Sequence, residues 1–83
     1  MEKVLDRKIK LIWDFKGQAA AKTAEHYEIH LKEYILNEEL KFDTTGYQHL
    51  SEMHSIAYLV VAEFEMLQAR DDLKPHRGEV YQD

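Results

Sequence analysis

The residues of this sequence best suited to hold a metal ion are three histidines and a glutamate. His26 and His30 are four residues apart and Glu33 follows three later, so on a helix all three side chains would project from one flank. If His54 lies at the same height on a neighbouring helix, it completes a set of imidazole and carboxylate ligands that suits Zn, Fe, Ni or Mn. One hypothesis is therefore a metal-binding protein or metal-dependent enzyme built on this cluster.

The same histidines also fit a simpler interpretation. A histidine at the edge of a helical apolar stripe usually packs its ring on the core and shows its polar tip to water or a carboxylate. Tyr27 follows His26 directly, so the glutamate of a His-Glu-x-x-His metal motif is missing. The sequence thus identifies no particular cofactor.

A second group of residues predicts a site for a small anion such as phosphate or a carboxylate. It lies where the first predicted strand leads into the first helix and in the C-terminal tail, and comprises Lys16, Gly17, Gln18, Lys74, His76 and Arg77. The first turn of that helix has no acidic residue to oppose the partial positive charge of its amides, and Arg77 could grip an anion with two hydrogen bonds. The alternative is local charge balance, in which Arg70, Lys74 and Arg77 neutralise Asp71 and Asp72 at the end of a helix.

Catalytic machinery is not indicated by the sequence. Ser51 and Ser55 are near His54, but neither occupies the sharp strand-to-helix turn that exposes a serine nucleophile, and there is no glycine-rich phosphate loop. We therefore predict no catalytic residue, and the leading functional hypothesis is a noncatalytic binding or interaction role.

Two elements that would position these residues are clear from their periodicity. Residues 8–15 alternate apolar and polar side chains and are rich in β-branched and aromatic residues, which predicts a strand. After Gly17, the residues from Gln18 to about Glu39 place apolar side chains at the spacing of one helical face. A first helix is predicted there.

A second helix is predicted to follow the turn-forming residues 41–46. Its apolar stripe comprises Leu50, Met53, Ala57, Val60, Phe64 and Leu67, and it ends near Asp72, before Pro75. Residues 79–81 leave room for a short terminal strand. The predicted fold class is α+β in two layers, with an N-terminal strand, an antiparallel helical hairpin and a short C-terminal strand (β-α-α-β), forming a single domain over residues 1–83.

The segment Ile56–Ala62 is apolar on all sides if it is helical, and a chain of 83 residues has little other protein to enclose it. This predicts a homodimer in which a second copy covers the segment. The predicted interface residues are Tyr58, Leu59, Ala62 and Met66. Two alternatives stay open: an accessory subunit that presents this surface to a different protein, or scattered apolar side chains that simply face water.

Composition excludes some classes of function. Acidic residues outnumber basic ones 16 to 11, giving a formal charge of -5, which argues against nucleic acid as a partner. No apolar run approaches the roughly 20 residues of a membrane span, and the N-terminus lacks the pattern of an export signal. The chain has no cysteine, which is compatible with a reducing compartment, so a cytoplasmic location is expected.

Overall fold

The computed structural model describes residues 7–81, which form one four-stranded sheet and two helices. In chain order the elements are β1 (Lys8–Lys16), α1 (Ala20–Glu38), β2 (Thr45–Ser51), β3 (His54–Ala62), a 3₁₀ turn (Glu63–Glu65), α2 (Met66–Leu73) and β4 (Arg77–Val80). The strand order is β2-β3-β1-β4, with every pair antiparallel. This is the split β-α-β connectivity also called ferredoxin-like, which hosts many functions and so does not indicate one by itself.

The predicted helical hairpin is wrong, because residues 45–62 form a β-hairpin. Most of the residues assigned to a second helix belong to β2 and β3, and only Met66–Leu73 is α-helical. A short apolar run bounded by turns has the same appearance in a buried helix and in a strand covered on both faces. The β-branched residues Ile56, Val60 and Val61 favour the strand.

The main core lies between the helices and one face of the sheet. Its buried members alternate along the two central strands and face the inner sides of the helices; they are Leu11, Trp13, Ala57, Leu59, Val61, Leu31, Ile35 and Ala69. The opposite face of the same strands carries Ile12, Ile56 and Val60, which are also buried. β3 is therefore a strand whose apolar side chains are buried on both faces of the sheet.

This arrangement removes the basis on which a dimer interface was predicted. Leu59 and Ala62 are 0% exposed within their own chain, so they need no second copy to shield them. Tyr58 is half-buried, with Gly46 opposite it on β2 and the Lys10 ammonium 4.4 Å from its ring centroid. Met66 packs partly against the core. The premise that these four side chains form an exposed apolar surface is wrong.

Two connections position α2 and β4 against β1. Lys74 adopts a left-handed conformation (φ 52°) that ends α2, and Pro75 then leads the chain into β4. Trp13 donates a hydrogen bond from Nε1 to the Leu73 carbonyl oxygen, 2.9 Å away, which fixes the end of α2 over β1. Gly17 makes the tight turn from β1 to α1 at φ 106°, a region that suits glycine.

Candidate functional site

A groove of about 460 Å³ runs between α2 and β4 on the helical side of the sheet. Its lining comprises Ile9, Leu11, Met66, Arg70, Pro75, His76, Arg77, Gly78, Glu79 and Val80. Pockets that hold small ligands commonly measure about 300–1,000 Å³ and are mostly apolar with a few polar groups, so the groove has the size and character of such a site.

The groove exists because two features of the sequence leave part of the sheet uncovered. α2 is only eight residues long, and Gly78 has no side chain to fill the space beside Leu11, its partner on β1. A Cβ atom placed on Gly78 would lie 3.4 Å from the Leu11 Cδ2 atom, an ordinary contact, so glycine is not required by crowding. Ile9 and Leu11 supply the apolar floor, and Met66 lies on the wall.

Two hydrogen-bond donors lie toward the end of the groove where α2 leads into β4. The His76 Nδ1 atom accepts a hydrogen bond from the Asp14 amide at 2.7 Å, which assigns the proton of a neutral ring to Nε2 and makes Nε2 a donor. The Arg70 side chain is 55% exposed, and its Nε lies 3.6 Å from the Asp71 Oδ1 atom, a loose surface pair. Guanidinium and imidazole donors beside an apolar surface favour a ligand with a negatively charged end.

Asp14 connects three strands of the sheet beside this end of the groove. Its carboxylate accepts hydrogen bonds from Arg77 Nε at 3.0 Å and Arg77 Nη2 at 3.1 Å, and lies 2.8 Å from His54 Nε2. The Arg77 hydrogen bond is the largest cause that lowers the pKa of Asp14 to about 2, and partial burial opposes it. Asp14 therefore holds both Arg77, through its side chain, and His76, through its amide.

Replacing Asp14 with asparagine is expected to destabilise the fold by about 1–3 kcal/mol at pH 7, because charge-assisted hydrogen bonds are lost. The folded-state pKa is below the ordinary value of 3.8, so this stability is present above pH 3.8 and is lost as the pH falls through about 2. Urea unfolding of both proteins between pH 7 and pH 2 measures the difference, which should shrink at the acid end. Asp71→Asn, which alters a more exposed carboxylate, should stay within about 0.5 kcal/mol, and an equal loss in both variants would contradict the role of Asp14.

The structure does not bring the predicted metal ligands together. His26 and His30 are exposed on α1, and His30 Nδ1 lies 3.6 Å from the Glu33 Oε1 atom. His54 is on β3 instead of a helix, and its Nε2 faces Asp14. Over residues 7–81 there is no group of three or more histidine, aspartate or glutamate side chains arranged to hold a metal ion.

The predicted anion residues are also arranged differently from the expectation. The Arg77 fork is taken by Asp14, a residue that the sequence argument left out. The Gly17 amide donates to the Met53 carbonyl oxygen at 2.8 Å, so it is not open to a ligand. α1 begins at Ala20, two residues beyond Gln18. Lys74 ends α2, and of the predicted set His76 and Arg77 line the groove.

Sequence reasoning missed most of the groove. From the sequence, Arg70 is interpreted only as a neutralising charge, and no pattern identifies Ile9, Leu11 or Gly78 as part of a site. A glycine inside a short strand was the available signal, because such a glycine often marks a place where something else approaches the backbone closely.

Comparisons with family models, curated proteins and solved structures give no match to this chain. Within the described part of the chain, neither helix has the length and apolar character needed to cross a bilayer. The fold and the groove together define the class: a small α+β domain with a mostly apolar groove that has basic residues toward one end.

Proposed function

We propose that this protein binds an apolar molecule carrying one carboxylate, of the kind represented by a medium-chain fatty acid, in the groove between α2 and β4. The observation that carries the proposal is the combination of an apolar floor with two donors at one end, Arg70 and His76. The proposed function is the noncatalytic binding role expected from the sequence. Its anion site does not include Lys16, Gly17 and Gln18.

Basic residues are concentrated toward one end of the groove, although the whole chain is acidic and Glu79 also lines the groove. Arg70, Lys74, His76 and Arg77 follow one another closely where α2 leads into β4. Arg77 is neutralised by Asp14, whereas Arg70 has only its loose contact with Asp71. A ligand carboxylate would therefore meet the Arg70 guanidinium as its main charged partner.

Calorimetric titration with decanoate and with decanol tests the proposal, since the two probes share an apolar chain and differ in charge. We expect saturable decanoate binding, with decanol at least about tenfold weaker, because a hydrogen bond to a charged group is worth about 1.5–3 kcal/mol. Arg70→Gln should weaken decanoate binding about tenfold and leave decanol binding unchanged.

Lys32→Gln serves as the matched control, because it removes the same charge from an exposed position on α1. Equal decanoate affinity in Arg70→Gln and Lys32→Gln would contradict the assignment of the charged end. The absence of saturable binding by either probe would remove the proposal as a whole.

We further propose that the protein is a homodimer and that it acts in the cytoplasm, in keeping with a chain that has no cysteine. The dimer cannot use the surface first predicted for it, since Leu59 and Ala62 are buried. The proposed dimer must therefore use a different surface.

A further inference from the structure

β4 is an edge of the sheet, and all four of its residues are exposed. The Tyr81 amide donates to the Lys8 carbonyl oxygen on β1, so with the alternation of an antiparallel ladder the amides of Gly78 and Val80 point away from β1. An edge strand with unpaired backbone groups can add a further strand.

The residues of β4 are complementary to a second copy of themselves in one register. When two β4 strands pair antiparallel about a two-fold axis at Gly78, Arg77 lies opposite Glu79 of the partner subunit, and the same pair occurs again across the axis. Side chains that lie opposite each other must share a face of the joined sheet. The nearest other allowed registers are therefore displaced from this one by two residues. Those registers place Arg77 opposite Arg77 of the partner subunit, or Glu79 opposite Glu79 of the partner subunit, and like charges are destabilising there.

The surroundings of β4 are compatible with this pairing. Asp14 occupies Nε and Nη2 of Arg77, which leaves Nη1 as a donor for a second carboxylate. The other edge strand, β2, has no charged residue and is bulged at His49–Ser51, so it offers no comparable pattern.

We propose that the chain forms a two-fold symmetric dimer through antiparallel β4–β4 pairing centred on Gly78, giving a continuous eight-stranded sheet. Charge complementarity identifies the occupant of the edge as a second copy of this chain. Gly78 and Val80 also line the groove, so the two grooves would lie on either side of the symmetry axis. The proposal rests on the proposed homodimer, for which it specifies the interface, and does not depend on ligand binding.

Sedimentation equilibrium across micromolar to millimolar concentrations tests the pairing. Glu79→Arg replaces two attractive pairs with two repulsive ones, so we expect the dissociation constant to rise at least about tenfold. Gln48→Arg adds a positive charge to the opposite edge strand and should change it less than about twofold. An equimolar mixture of Glu79→Arg and Arg77→Glu chains should form a heterodimer, because each arginine then faces a glutamate.

If Arg77→Glu does not fold because it loses its contact with Asp14, amide hydrogen exchange of the unmodified protein still tests the pairing. Protection of the Gly78 and Val80 amides should increase with protein concentration, because pairing gives these amides hydrogen-bond partners. A protein that stays monomeric at millimolar concentration, exchange at Gly78 that does not depend on concentration, or a Glu79→Arg chain that associates like the unmodified protein would each overturn the proposal.

Discussion

Replacing Leu59 with alanine is expected to lower the free energy of unfolding by about 2–5 kcal/mol, whereas the same change at Leu67 should cost no more than about 0.5 kcal/mol. Leu59 is 0% exposed in the core under the helices, and Leu67 is 57% exposed on α2. For a domain of this size the loss at Leu59 is a large part of the total stability. Urea denaturation followed by circular dichroism measures both variants.

The pair of variants also separates the two interpretations of residues 45–67. A helical stripe that includes Leu67 and leaves Leu59 on the opposite side predicts the reverse order of effects. If Leu67→Ala proved the more destabilising change, the assignment of residues 54–62 to a central strand would be wrong.

Replacing Gly78 with valine is expected to abolish most decanoate binding while leaving the fold intact. The new side chain would point toward Leu11 and occupy the groove, with its Cβ in ordinary contact at 3.4 Å from Leu11 Cδ2 and 3.6 Å from the Lys10 carbonyl oxygen. Valine also suits a strand better than glycine does, by up to about 1 kcal/mol. We therefore expect decanoate affinity to fall at least about tenfold with no loss of thermal stability.

Decanoate affinity is best compared between the Glu79→Arg chain and the Gly78→Val, Glu79→Arg double variant, because Glu79→Arg suppresses association of chains but also alters a residue that lines the groove. Gln48→Val, which places the same side chain on β2, is the control and should bind decanoate normally. Unchanged affinity in Gly78→Val would show that the ligand does not occupy the groove beside Leu11.

The elements with a single clear periodicity could be predicted from sequence. β1 alternates apolar and polar residues, and its observed range, Lys8–Lys16, extends the predicted strand by one residue. α1, Ala20–Glu38, lies within the range predicted from its helical face. Each element packs one apolar side against the core, which is the situation in which periodicity is informative.

β3 could not be assigned in the same way because both of its faces are buried. Ile56, Leu59 and Val60 are all buried, so the segment carries no alternation from which a period of two could be read. If this segment is assigned to a helix, His54 falls on a helix beside His30, and the metal hypothesis depends on that position. The error in one element thus altered the predicted site.

The charged end of the groove depends on contacts between residues distant in sequence. Asp14 meets Arg77 across 63 positions and His54 across 40, and both contacts follow from the pairing of β1 with β4 and β3. Arg77 and His76 are recognisable from the sequence as basic residues, but no local pattern indicates that Asp14 neutralises one and orients the other.

The most direct test of the proposed site is a nuclear Overhauser measurement between decanoate and the methyl groups of selectively labelled protein. Contacts from the decanoate chain to Leu11, Met66 and Val80 are expected, with none to Leu36 or Leu50, which are exposed elsewhere on the molecule. Contacts confined to Leu36 or Leu50, or an equal weak signal at every exposed methyl group, would contradict a binding groove between α2 and β4.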